Sequence, residues 1–171
     1  MIATQSMNIH LETERLLLSP LTEADTLFIY ELLNSKAWIR FIGDRDINTF
    51  DDADAYIDKI LSGRNLQYWI VREKGKDKPI GLITFMKRAY LDLWDLGFAF
   101  LEKHGKKGYA FEATDAVLKT ALQLKAHPII VATTLPDNIN SIKLLEKLGF
   151  KFDKKMKVEK DMLSIYTTQK D

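Results

Sequence analysis

Glu102-Lys103-His104-Gly105-Lys106-Lys107-Gly108-Tyr109-Ala110 connects a β-rich run to the first turn of an Ala-rich helix. At a helix start the first N–H groups have no intrahelical partner, and the positive end of the helix dipole lies among them. Such an end binds anions, and Gly lets the backbone approach a phosphate closely. Lys103, Lys106 and Lys107 add positive charge. The stretch lacks the Gly-Lys-Ser/Thr ending of a Walker A loop and the G-x-G-x-x-G spacing of a dinucleotide turn. A diphosphate of another type suits it better. A solvated Lys-rich connection has the same composition, so a second signal must decide between the two readings.

Upstream of this loop, Leu91 to Phe100 reads as a strand, with Leu91, Leu93, Asp95, Gly97 and Ala99 on one face and Asp92, Trp94, Leu96, Phe98 and Phe100 on the other. Asp95 therefore points with apolar neighbours. Downstream, Ala110, Ala113, Val117, Thr120, Ala121 and Leu124 form one helical stripe, and Pro128 opens a buried strand through Thr134. A strand, a helix and a strand in succession make the two strands parallel. Ser141 to Leu148 is a further helix stopped by Gly149, followed by strands near Phe152 to Val158 and Met162 to Thr167. Nearer the N-terminus, Arg15 to Ser19 is a strand, and Thr22 with Asp25 opens a helix through about Leu33. Thr49 with Asp52 opens another that Gly63 ends. Leu66 to Arg72 and Pro79 to Lys87 form a hairpin across Lys74-Gly75-Lys76-Asp77.

A length of 171 residues without repeats, linkers or low-complexity tracts predicts one domain, with residues 1–10 as a loose extension and Met7 as a second candidate start. With 25 Lys plus Arg against 24 Asp plus Glu, no global field favours nucleic acid or an anionic bilayer. The absence of Cys excludes disulfides, thiolate metal sites and Cys nucleophiles, and suits a reducing compartment. No run suits a signal peptide or a membrane span, so the expected location is cytoplasmic. His10, His104 and His127 have no ligand spacing, and no metal is expected. Lys151, Lys154, Lys155, Lys157 and Lys160 read as a charged, solvated hairpin edge.

The second signal is Leu135-Pro136-Asp137-Asn138-Ile139-Asn140-Ser141 leading into Ile142-Lys143-Leu144-Leu145-Glu146-Lys147-Leu148-Gly149-Phe150. Together with the Gly108 loop, Leu11 to Leu18, Pro79-Ile80-Gly81 and Asp95-Leu96-Gly97-Phe98, it resembles the GNAT acyltransferase superfamily, in the branch that includes the ribosomal-protein N-terminal acetyltransferases. The resemblance implies an α/β fold: a mixed sheet of about six or seven strands with about four helices, and two splayed parallel strands that hold coenzyme A. It also implies a loop pattern Gln/Arg-x-x-Gly-x-Gly/Ala that binds the pyrophosphate through backbone amides. Gly108 and Ala110 match that pattern, but Gly105 stands where Gln or Arg is expected and Lys106 where a further Gly is common. Gly105, Lys106, Lys107, Gly108, Tyr109 and Ala110 would thus bind the pyrophosphate, with Phe98, Ala99, Phe100 and Asn138 along the pantetheine arm. Asn138 equally suits a plain helix cap.

Transfer of an acetyl group from acetyl-CoA to an amine needs a neutral amine, an acceptor for its proton, donors for the oxyanion and an acid near the departing thiolate. Asp95 stands where relatives often carry Glu, and its apolar neighbours would raise its pKa. It is read as the base, as an orienter of the amine or as a structural acceptor. Many relatives carry a Tyr on the helix after the Asn, where this chain has Leu145; Ser141 is the nearest hydroxyl, as proton donor or as cap, with Tyr166 more remote. Trp38, Phe41, Trp69 and Trp94 line an acceptor groove or belong to the core. The implied activity is N-acetylation of a peptide or protein N-terminus, or of a small amine, in a ternary complex, with a homodimer through a sheet edge as a possible assembly. Its rivals are a catalytically silent acyl-CoA-binding module and a nucleotide-dependent transferase.

Overall fold

The computed structural model describes residues 9–124 and 126–169. Of the extension expected at 1–10, residues 1–8 with Met7 lie outside that range, and the Ile9 carbonyl accepts the Trp69 indole N–H at 2.9 Å. Among the described residues the sheet has eight strands and the flanking layers five α-helices, rather than the six or seven and four expected. The additional elements are short. Strand β1 (Leu11–Glu12) has two residues, and α2 (Lys36–Phe41) is a six-residue helix capped by Ser35, whose hydroxyl accepts the Trp38 N–H at 3.3 Å. Neither is long enough to display a period.

In chain order the strands are β2 (Leu16–Pro20), β3 (Leu66–Glu73), β4 (Pro79–Lys87), β5 (Trp94–Phe100), β6 (Ile130–Thr134), β7 (Lys151–Val158) and β8 (Asp161–Thr167). The remaining helices are α1 (Thr26–Leu33), α3 (Phe50–Leu61), α4 (Tyr109–Gln123) and α5 (Ile139–Lys147). The sheet order is β1-β2-β3-β4-β5-β6-β8-β7. Strand β4 runs down the middle of the sheet and is buried from Ile80 to Phe85, which explains a sequence that is apolar there except for Thr84. Helices α1 to α3 cover one face around Phe28, Ile29, Ile57, Ile70 and Leu82. Helices α4 and α5 cover the other around Leu16, Trp69, Phe85, Leu96, Val117 and Leu145.

Both capping signatures occur where the sequence places them. The Asp25 carboxylate accepts the Thr22 N–H at 2.9 Å, ahead of a 3-10 turn that leads into α1, and the Asp52 carboxylate accepts the Thr49 N–H at 2.7 Å. Asp25 also pairs with Arg72 on β3 at 2.5 Å, tying the start of α1 to the sheet.

All pairings are antiparallel except β5 with β6, which is parallel and limited to Trp94↔Ile130 and Asp95↔Val131. Beyond Asp95 the two strands stop pairing, while β5 stays bonded to β4 as far as Gly81↔Phe100. Leu91 to Leu93 lie in the turn before β5, so the strand begins three residues later than its alternation suggests. Leu91 nevertheless packs in a small cluster with Val131 and Ile165.

Where β4 and β5 lie against each other beside this opening, a side chain at Gly81 would collide with Phe100: an added β-carbon falls 2.3 Å from the ring. Gly81→Ala is therefore expected to lower stability by roughly 1–3 kcal/mol, the usual cost of overpacking, as measured by the urea midpoint. An unchanged midpoint would show that Phe100 moves freely.

Candidate active site

The parting of β5 and β6 opens a cavity of about 1040 Å³ that crosses the sheet from the α4–α5 side to the α1–α3 side. On the former it is lined by Phe98, Phe100, Gly105, Lys106, Gly108 and Ala110, with Asn138 and Ser141 at the start of α5. On the latter it is lined by Trp38, Phe41, Arg45, Tyr56, Tyr68 and Arg88. Asp95 lies among these walls, 1% exposed.

The Gly108 loop takes the shape its sequence requires. Gly108 is the N-terminal flanking residue of α4 with φ of 79°, a left-handed conformation that costs Gly little. No side chain caps this helix start, so the first-turn N–H groups remain available as donors. Lys106 is also left-handed, with φ of 61°; this is the position where the family pattern prefers Gly, and the backbone gives the reason.

A brace holds the loop from behind. Glu112, in the first turn of α4, accepts the Thr13 hydroxyl at 2.6 Å, the Arg15 backbone N–H at 2.9 Å and the Arg15 side chain at 2.7 Å. Arg15 also donates to the Lys107 carbonyl at 2.9 Å and lies 4.7 Å over the Tyr109 ring. Burial alone would raise the Glu112 carboxyl; the bonds from Thr13 and Arg15 outweigh it and hold the group below its ordinary range. Tyr109 donates its hydroxyl to Glu73 at 3.0 Å, and Lys76 pairs with the same carboxylate at 2.6 Å. Lys107 contributes its carbonyl to this brace and, unlike Lys106, does not line the cavity.

Asp95 sits where the strands part. Its Oδ1 accepts the Thr133 N–H at 3.0 Å, so the carboxylate substitutes for the lost β5 partner of that amide. Its Oδ2 accepts from Arg88 Nε at 2.5 Å. Burial pushes the carboxyl upward against the pull of Arg88 and the Thr133 amide. Asn138 caps α5: its side-chain oxygen accepts the Ser141 N–H at 3.3 Å. Its amide nitrogen is not engaged by that bond.

Of the aromatic residues expected at the acceptor groove, Trp38 and Phe41 line the cavity and Trp94 does not. Trp94 lies on the opposite face of β5 from Asp95, stacked on Phe85 at 4.9 Å beside His127. Trp69 is fully buried in the core beneath α4. Tyr166 is buried against Phe152, away from the cavity walls. Leu145, where relatives carry the Tyr, is 1% exposed and packs into the core. Sequence reasoning missed Arg88, Arg45, Tyr56, Tyr68 and the roles of Arg15 and Glu112. Arg15 lay inside a recognised stretch, but its partner is 97 residues away and nothing local announces the pairing. No group of three or more His, Asp or Glu among the described residues is arranged to hold a metal ion, and no described helix is long and apolar enough to cross a membrane.

Comparison with known proteins agrees with this geometry. Residues 15–151 match the family model described as Acetyltransferase (GNAT) domain. The uncharacterized N-acetyltransferase YnaD of Bacillus subtilis is 29% identical over 143 residues, which cover 84% of this chain and 83% of YnaD. A GNAT-family acetyltransferase from Bacillus anthracis superposes with a TM-score of 0.77 at 24% identity, covering 93% of this chain and 96% of that one. The ribosomal L7/L12 alpha-N-protein acetyltransferase RimL, solved with coenzyme A, shares the fold with a TM-score of 0.79 at 12% identity over 93% of this chain and 97% of its own.

Removing the brace tests its role. Arg15→Ala, which removes the side-chain bonds to Glu112 and to the Lys107 carbonyl, is expected to weaken coenzyme A binding about tenfold or more by loosening the loop, as read by calorimetry. Because folding lowers the Glu112 pKa, its contribution to stability is present above the unfolded value and is lost as pH falls through the folded value. Glu112→Gln should therefore flatten the loss of stability in that acid window, as followed by melting temperature against pH.

Proposed function

This chain belongs to the GNAT acetyltransferase family, and from that premise we propose that it transfers the acetyl group of acetyl-CoA to a primary amine by direct attack, with both substrates bound together. The observation that carries the proposal is the parting of β5 from β6 immediately beside a left-handed Gly108 and an uncapped helix start. A pyrophosphate fits the donors of the first turn of α4, and a pantetheine arm with its two amides fits the strand edges left without partners. Phe98, Ala99 and Phe100 offer β5 backbone along this path, and Asn138 keeps a side-chain amide donor after capping α5. The thioester would then lie near Asp95, at the place where the cavity crosses the sheet.

In the transfer, the amine nitrogen forms a bond to the thioester carbonyl carbon, the carbon–sulfur bond breaks, and the thiolate leaves. The amine loses a proton and the thiolate gains one. With no Cys in the chain, an S-acetyl-cysteine enzyme intermediate is not a route. Ser141 is the hydroxyl at the cavity wall on the first turn of α5, and we assign it the relay of a proton to the departing sulfur.

Both oxygens of Asp95 already accept hydrogen bonds, one from Thr133 and one from Arg88. This favours an orienting role: the carboxylate fixes the amide where the strands divide and keeps the Arg88 charge neutralised, while the amine proton leaves through water in the open cavity. A general base contributes about 10²–10⁴-fold to a rate, whereas an orienter can be replaced in part by an isosteric acceptor. The acceptor proposed is a peptide or protein N-terminus or a small amine. The alternative, an acyl-CoA-binding module without turnover, is favoured by one observation, the apolar Leu145 where many relatives carry a phenol.

Thiol release from acetyl-CoA across a panel of peptides and amines separates the two. Turnover is expected for some acceptor, and tight binding with no turnover on any acceptor would select the silent module. Asn at position 95 retains an oxygen for the Thr133 N–H but turns an NH2 donor toward Arg88, so Asp95→Asn should lower kcat/KM while leaving the rise of rate with pH in place, and the pH profile is the deciding readout. A loss beyond about a thousandfold together with loss of that pH limb would instead make Asp95 the base.

A further inference from the structure

Resting on the acetyltransferase reading, we propose that the preferred acceptor is an amine that also carries a carboxylate, and that Arg45 and the Trp38 indole N–H receive that group. The argument comes from the balance of charge and hydrogen-bonding capacity in the acceptor half of the cavity. Asp95 is the one carboxylate among the described residues lining the whole cavity, and Arg88 is already paired with it at 2.5 Å. Against this neutralised pair, the acceptor side presents Arg45 and Lys59 at its rim. Neither forms an ion pair among the described residues. Among the side chains that line the acceptor half, the charges left without a partner are therefore positive.

A second, independent feature asks for the same chemistry. Trp38 is 5% exposed and lines the cavity, yet its Nε1 is a buried donor without a hydrogen-bond partner. Buried donors in folded chains are nearly always satisfied, so an orphan donor on a residue of the cavity wall, sealed from solvent as the wall stands, is a group that a ligand oxygen would satisfy once side chains there adjust to admit it. Indole N–H only donates, and guanidinium only donates. Beside them, burial and the neighbouring Tyr56 hold the Tyr68 hydroxyl far above its ordinary pKa, so it stays neutral and adds no negative charge. An ammonium-rich acceptor such as a polyamine would find no free carboxylate to neutralise its second charge. A free amino acid, or a peptide whose N-terminal amine is followed closely by an acidic side chain, supplies both the nucleophile and the oxyanion. These are two sources of one ligand chemistry, and matched acceptors distinguish them.

The test measures thiol release with acetyl-CoA on three kinds of acceptor: amino acids against their amides, peptides with Glu against Gln in the second position, and spermidine. Acidic members should exceed their neutral partners by about tenfold or more in kcat/KM, mainly through KM, as expected when a buried donor and a cation lose their acceptor. Arg45→Ala should reduce that ratio to within about twofold. Trp38→Phe, which keeps an aromatic ring without the N–H, should slow the acidic members more than the neutral ones. The rise in melting temperature with coenzyme A reports that each variant is folded. Equal rates for acid and amide, a preference for spermidine, or a ratio that survives Arg45→Ala would overturn the proposal. If no acceptor reacts while coenzyme A still raises the melting temperature, the transferase reading fails. Calorimetry of the same pairs on the coenzyme-loaded protein then decides the pocket: selective heat for the acidic members upholds it, and equal or absent heat overturns it.

Discussion

Two parallel strands that separate partway along their length leave main-chain groups without partners inside a protein, and each such group costs about 1–3 kcal/mol if nothing replaces the lost bond. The site is organised around this constraint. Asp95 resolves it at the fork by taking the Thr133 N–H on its carboxylate, and Arg88 offsets the charge that this brings into the core. Farther along, the edges of β5 and β6 face the cavity, where the extended, amide-bearing arm of the proposed substrate would satisfy them.

The fork dictates what surrounds it. Strand β5 is held straight by continuous pairing with β4, and Gly81 gives Phe100 the room to lie against that strand. Strand β6 is carried away with β8, to which it is bonded from Val131 to Thr134. Helix α4 spans the crossover, and its uncapped start faces the same opening. The brace of Arg15, Thr13 and Glu112 fixes that start against the edge of the sheet near β2, so the N-terminal strands contribute to the loop although they lie at the far end of the sequence. Packing of α1 to α3 over the other face supplies the acceptor wall, where Trp38 is set by the short helix α2.

Much of this was legible from residue order. The alternation from Trp94 to Phe100 placed Asp95 with Gly97 and Ala99, the stripe from Ala113 to Ala121 predicted the burial of α4, and the two Thr-Asp capping pairs fixed helix starts to within a few residues. Signals with a local period survive in sequence because their partners lie within a turn or a strand. What was not legible depends on partners distant in the chain. Arg88 could not be assigned to Asp95 without the β4–β5 hairpin register, and Arg15 could not be assigned to Glu112 without the packing of α4 beside β1 and β2. Trp94 shows the complementary failure: an aromatic at the right position in a motif was read toward the groove, when strand parity opposite Asp95 already turned it to the other face. Gly105 and Lys106 departed from the family pattern, and the left-handed backbone at Lys106 shows that the turn is kept with a costlier residue.

The central claim is that an extended ligand completes the fork between β5 and β6, and amide hydrogen exchange measures it directly. On addition of coenzyme A, the amides of Leu96 to Phe100 and of Tyr109 to Phe111 should exchange more slowly, while those of α3 and of the β7–β8 hairpin keep their rates. Unchanged exchange in both segments at saturating ligand would contradict the account.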